Sequence, residues 1–135
     1  MTSSGECLKG TACLELVLFM AAGMRFAVDA AQIRSSTPDP GNNSGTVESV
    51  LALDPPPNHP PSQLITVKGE YQDTVLTAGI PVELCSFHPD SLHPLPEAIR
   101  ARCRIRGIRA LVRADCGFIP VVDLRRAIET SKVVE

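Results

Sequence analysis

Five prolines in seven residues, PPPNHPP at 55–61, constrain this chain more than any other feature. Proline has no amide hydrogen and a fixed φ, so a run this dense fits neither a helix interior nor a central strand. It reads as an extended, polyproline-type linker with packing units on either side. The organisation expected is a flexible N-terminus at 1–13 and a single domain at 14–131. Within that domain lobe one covers about 14–54, the linker 55–61, lobe two about 62–122, and a C-terminal helix about 123–131.

Short β-rich segments fill both lobes. LELVLFM at 14–20, the turn AAG and MRFAV at 24–28 make a hairpin. Asp29 is placed to cap one or two helical turns in DAAQI, because its carboxylate can accept from free amides there. SSTPDPGNNSG at 35–45 reads as an exposed loop. TVESVLALD at 46–54 alternates Val47, Ser49, Leu51 and Leu53 and reads as a strand.

Beyond the linker, QLITVK, GEYQD and TVLTAGIPVEL form a second hairpin. Pro96 and Glu97 start a short helix over 96–103. GIRALVRADCGFIPVVDL gives two strands around Ala-Asp-Cys-Gly, and LRRAIETS a terminal helix. Strands dominate without a βαβ rhythm, so the fold class is mainly β, two small packed SH3- or OB-like barrels with short helices.

Hydrophobic residues are 44% of 135, enough for a core, but aromatics are 4% and Trp is absent, so Val, Ile, Leu and Ala must build it. No apolar run reaches the roughly eighteen residues of a membrane span, and MTSSGECLKG lacks signal-peptide order. That places the chain in the cytoplasm without direct membrane insertion. Cys7, Cys13, Cys85, Cys103 and Cys116 show no C-x-x-C pair, and reduced, buried thiols are expected. The net charge of −2 hides an asymmetry: residues 100–135 hold nine of the 13 basic residues against four acids, a surplus of +5 that leaves −7 elsewhere. Such polarity favours oriented docking to a charged partner.

Three constellations could carry chemistry. Cys85, His88 and His93, with Asp90 or Cys103 as a fourth ligand, offer zinc donors, although their spacing matches no standard finger. The same residues could form a Cys-His nucleophilic pair, but nothing specifies an orienting acid or an oxyanion hole. In RARCRIRGIR, Arg100, Arg102, Arg104 and Arg106 at period two would line one strand face, tracking phosphates or docking an acidic protein. The acidic total and scarce aromatics weigh against nucleic acid. The Pro57–Pro60 register has no arginine to anchor an SH3-type contact. Phosphate-loop, zinc-protease and nucleophile-elbow motifs are absent, so neither an enzyme nor a cofactor is expected.

As an ordered set, ELVLFMAAGMRFAVDAAQIR, LITVKGEYQDTVLTAGIPVEL and GIRALVRADCGFIPVVDLRRAI resemble the CheW-like domain of chemotaxis adaptors, across most of residues 14–129. The resemblance implies two five-stranded barrels around a shared core, a cytoplasmic non-catalytic adaptor, and as partners the regulatory domain of a CheA-type histidine kinase, a chemoreceptor, or a second copy in a homodimer. It also makes FIPVVDLRRAI the last strand and helix, clamping the lobes, with Val121, Leu124 and Ile128 inward and Arg125 and Arg126 exposed. The family's Asn-Leu-Arg-Gly turn has no counterpart here. An incomplete first barrel would follow, with an exposed edge around Val47, Val50 and Leu51 as the partner-binding strand and Arg104 and Arg106 as secondary contacts. A nucleic-acid-binding barrel using the Arg100–Arg109 face, or a thiol or metal site at Cys85, His88 and His93, are the alternatives.

Overall fold

The computed structural model describes residues 13–38, 45–54, 61–115 and 117–133, with side chains through Thr130. The N-terminal residues 1–12 and the proline segment 55–60, with both ends of the Pro57–Pro60 register, lie outside the described residues.

The first hairpin forms where the pattern places it: β1 (Leu14–Ala21) and β2 (Met24–Asp29) pair antiparallel around Ala22-Gly23. Asp29 accepts a 2.9 Å bond from the Ala31 amide and caps a short 3-10 turn at Ala30–Gln32. The chain then continues as β3 (Ile33–Pro38), so SSTP is strand rather than loop. Among the described residues its backbone pairs with one neighbour, and from Arg34 onward its side chains face solvent, a setting that demands no apolar alternation. The rest of the expected loop, 39–44, is outside the described residues.

TVESVLALD is also different from its expected form. After the two-residue β4 (Gly45–Thr46) comes α1 (Val47–Val50), whose Thr46 hydroxyl accepts from the Ser49 amide at 3.1 Å. Val47, Val50 and Leu51 have helical i, i+3, i+4 spacing, and burial of that stripe prevails over the period-two reading.

Farther on, β5 (Ser62–Val67) and β6 (Thr74–Phe87) form the second hairpin. β6 pairs first with β5 and then with β1, and the changeover lies at Gly79. A Cβ there would lie 2.9 Å from both Cβ and O of Met20, so only glycine permits the approach. The final elements are β7 (Leu92–Pro94), α2 (Glu97–Arg102), β8 (Ile108–Ala114), β9 (Gly117–Val122) and α3 (Leu124–Val133). These agree with the expected helix near Pro96, the closing strands and the terminal helix.

The strands make one open sheet in the order β3-β5-β6-β1-β2-β9-β8-β7, with β4 beside β6. The architecture is mainly β and two-lobed, and both lobes share strands. In β1, Val17, Phe19 and Ala21 face one core while Leu16 and Leu18 face another, as strand alternation dictates. Core one gathers Phe26, Val28, Ile65, Val67, Leu76, Val122 and the helical Leu51, Leu124 and Ile128. Core two is smaller and holds Ala27, Phe87, Ala110, Val112, Ile119 and Val121. The division at the proline segment therefore needs correction as a packing boundary: residues 62–78 follow it in sequence, yet Ile65, Val67, Leu76 and Ala78 pack with β1 and β2 in core one. Long-range pairing of β6 with β1 overrides sequence adjacency.

Candidate interaction surfaces

The strand-to-helix handover FIPVVDLRRAI is a junction of the lobes. Val121, Leu124 and Ile128 are buried, and Arg125 and Arg126 are exposed, as expected. Asp123 Oδ1 accepts from the Arg126 amide at 3.1 Å, capping α3. Gln32 braces the same corner: its Nε2 donates to Asp123 Oδ1 at 2.9 Å, and its Oε1 accepts from the Leu124 amide at 3.0 Å. Gly107 completes it, with φ +82° and its carbonyl accepting from the Asp123 amide at 2.8 Å. No sequence signal pointed to Gln32, whose partners lie about ninety residues away.

The expected partner-binding strand is not on the surface. Val47 and Leu51 are fully buried and Val50 is nearly so, all in core one. Their neighbour Glu48 is buried as well, and its Oε2 accepts from the Ala22 amide at 3.1 Å, tying α1 to the first hairpin turn where Ala22 has φ 51°. These residues hold the lobe together and present no apolar edge.

Nor do the arginines share a strand face. Arg100 and Arg102 sit on α2, because the helix begun at Glu97 runs through them. Arg104 is exposed in the connection to β8, and Arg106 is half-buried. The Arg106 amide donates to Leu51 O at 2.9 Å and its Nη1 to Val50 O at 3.3 Å, so it closes the C-terminus of α1. Of the two expected secondary contacts, Arg104 is free to meet a partner and Arg106 is occupied.

Cys85, His88 and His93 are not brought together. Cys85 lies on the core-two face of β6; His88 Nδ1 accepts from the Asp90 amide at 3.0 Å; His93 lies on β7 against the ring of Phe118. Among the described residues no three His, Cys, Asp or Glu side chains cluster as metal ligands. Burial pushes the Cys85 thiol up, Glu83 adds to the rise and Arg25 opposes it, so a reactive thiolate is disfavoured. Cys13 is disulfide-bonded, contrary to the expectation of reduced thiols throughout, whereas Cys85 and Cys103 are free.

What remains exposed is arranged around the sheet ends and α3. β3 forms one end of the sheet, with Arg34–Pro38 in solvent; β7, three residues ending in Pro94, forms the other. Between the 68–74 connection and α3 lies a groove of about 300 Å³ lined by Lys68, Tyr71, Arg125, Ile128 and Glu129. Tyr71, the single tyrosine, is 92% exposed at its rim. Arg34 and Asp73 pair at 2.6 Å beside it. Among the described residues no helix is long and apolar enough to cross a membrane.

No protein-family model matches the sequence, and no curated protein matches it either. The shape is informative where the sequence is silent. The crystal structure of the scaffolding protein TtCheW from Thermoanaerobacter tengcongensis superposes with a TM-score of 0.67, covering 87% of this chain and 94% of that one at 14% identity. The chain has a CheW-like fold.

Proposed function

We propose that the chain is a non-catalytic adaptor of a chemotaxis-type signalling assembly that couples a CheA-type histidine kinase to receptors or other signalling proteins. The observation that carries this reading is the two-lobed fold it shares with TtCheW, described as a scaffolding protein, over nearly the whole of both chains.

The docking edge in this reading moves from Val47, Val50 and Leu51 to β3. Among the described residues its outward backbone groups have no strand partner beyond β5, and a partner's strand could extend the sheet there. Arg104 remains a peripheral charged contact that steers encounter. The compartment proposed is the cytoplasm, where the exposed Cys13 disulfide would be reduced.

Calorimetric titration against the isolated regulatory domain of a CheA-type kinase from the same organism, at low and high salt, tests the proposal. Binding in the micromolar range with modest salt dependence is expected. Absence of binding at either salt would remove the coupling role. Ser36→Lys and Thr37→Lys, which place a charge on each face of the edge, should weaken binding about tenfold or more if β3 is the contact. Unchanged affinity in both variants would place the kinase elsewhere.

A further inference from the structure

A second surface lies at the opposite end of the sheet. In β9, Ile119 and Val121 point into core two, whereas Phe118, Pro120 and Val122 point the other way. Val122 is covered within core one, next to Leu124, Ala127 and Ile128 of α3. Farther along the same face the cover ends, and Phe118 is 57% exposed. Cross-strand register sets its neighbours: Arg113 is opposite Phe118, Leu111 is opposite Pro120, and His93 is opposite Leu111. The outcome is an apolar patch on β7, β8 and β9 with an aromatic ring at its centre.

The charges around that ring decide what can cover it. Arg113, opposite Phe118, and Arg109, at the register shift between Ile108 and Ala110, are both exposed. Arg113 has no acidic partner among the described residues, and Arg109 reaches only Asp123 Oδ2, at 4.0 Å. The imidazole of His93 meets Phe118 edge to face, with centroids 5.5 Å apart at 84°, and its Nε2 is buried without a hydrogen-bond partner. A buried nitrogen without a partner is costly, and a polar group of an arriving segment that reached it would relieve that cost.

From this we infer that the outer face of β7-β8-β9 is a docking site for an acidic protein segment carrying a bulky apolar anchor. The anchor would pack on Phe118, Leu111 and Pro120, and flanking carboxylates would pair with Arg109 and Arg113. A face-to-face second copy is a poor occupant, since a two-fold axis would bring these arginines against themselves. A nucleic acid would find one ring for stacking on a chain of net charge −2. This surface is independent of the β3 edge, which ends the strand order on the other side.

Selection of a random short-peptide library displayed on phage, with the whole protein as bait, tests the inference. Enriched sequences should combine Asp or Glu with Leu, Phe or Trp. Phe118→Ser should weaken the synthesised winners about tenfold or more, as loss of a central aromatic anchor does. Arg113→Glu should also weaken them and shift a repeated selection toward basic peptides. Both side chains are exposed, and unchanged thermal unfolding of the variants will show that the fold is intact. Neutral or basic winners, winners indifferent to both substitutions, or no enrichment would overturn the inference. So would a finding that oligouridylate binds this face, with loss in the same variants, while acidic peptides do not.

Discussion

Core one and core two are built on opposite faces of the same strands, and they are closed in different ways. Helices α1 and α3 cover core one, and polar side chains fasten its rim: Glu48 to the Ala22 amide, Gln32 to the start of α3. Core two is smaller, and its buried residues come from strands alone. One face of the shared strands is thus devoted to stability, while the other supports a sheet whose outer surface is left available. The two properties go together, because a docking surface must be held rigid by something other than the partner.

The largest test of this contrast is a matched pair of truncations. Phe19 is fully buried in core one, stacked on Phe26 with centroids 6.0 Å apart, and Phe87 lies at 2% exposure in core two. Truncation of a buried Phe to Ala costs about 3–5 kcal/mol, with the value set by how far the surroundings collapse. Phe19→Ala should fall at the top of that range and Phe87→Ala at the bottom, since Phe19 belongs to the larger cluster and also loses its stacked partner Phe26. Urea unfolding midpoints measure both, and equal losses would break the contrast.

Removal of the fastenings should cost less. Glu48→Ala leaves the part-buried Ala22 amide without its acceptor and should lower stability by about 1–3 kcal/mol. Glu48→Gln retains an oxygen acceptor and should recover most of the loss, which separates the hydrogen bond from simple loss of volume. Gln32→Ala removes the bonds to Asp123 and the Leu124 amide at a half-exposed corner, and a loss of about 1 kcal/mol is expected. If either Ala variant were neutral by chemical denaturation, core one would be closed by its apolar packing alone.

Elements were legible in the sequence where their signal is local. Both hairpins, the Asp29 cap, the helix near Pro96 and the β9-to-α3 handover follow from turn residues and short-range pattern. Residues 47–53 carried two patterns at once: Val47, Ser49, Leu51 and Leu53 fit a strand, while Val47, Val50 and Leu51 fit one helical face. The cover that core one requires selects the helix, and that requirement is tertiary. SSTP was illegible for the converse reason, because an edge strand is held by its backbone and its side chains need no pattern. The arginine run had true period two, yet the helix started by Pro96 and Glu97 consumed half of it. Of the interaction surfaces, the exposure of Arg104 followed from its sequence setting. The face around Phe118 did not, since it depends on Arg113 and His93 arriving from other strands.

The smallest effect concerns how exposed arginines are used on the two sides of the molecule. On the core-one side Arg34 is engaged: its Nε donates to Asp73 Oδ2 at 2.6 Å. That hydrogen bond, helped by the Gly69 amide, holds the Asp73 carboxyl below its ordinary value of 3.8. A carboxyl whose pKa is lowered by folding favours the native state when ionised. Its contribution is therefore complete above 3.8 and is lost as the pH falls through the lower folded value. Wild type and Asp73→Asn should differ in stability near neutral pH by a small amount, as surface pairs do, and converge in acid. Arg113→Ala, lacking such a partner, should leave the acid limb of the profile unchanged. A profile in which Asp73→Asn also tracks wild type at every pH would mean that Arg34 is as unengaged as Arg113, and the two sides would then differ in their cores alone.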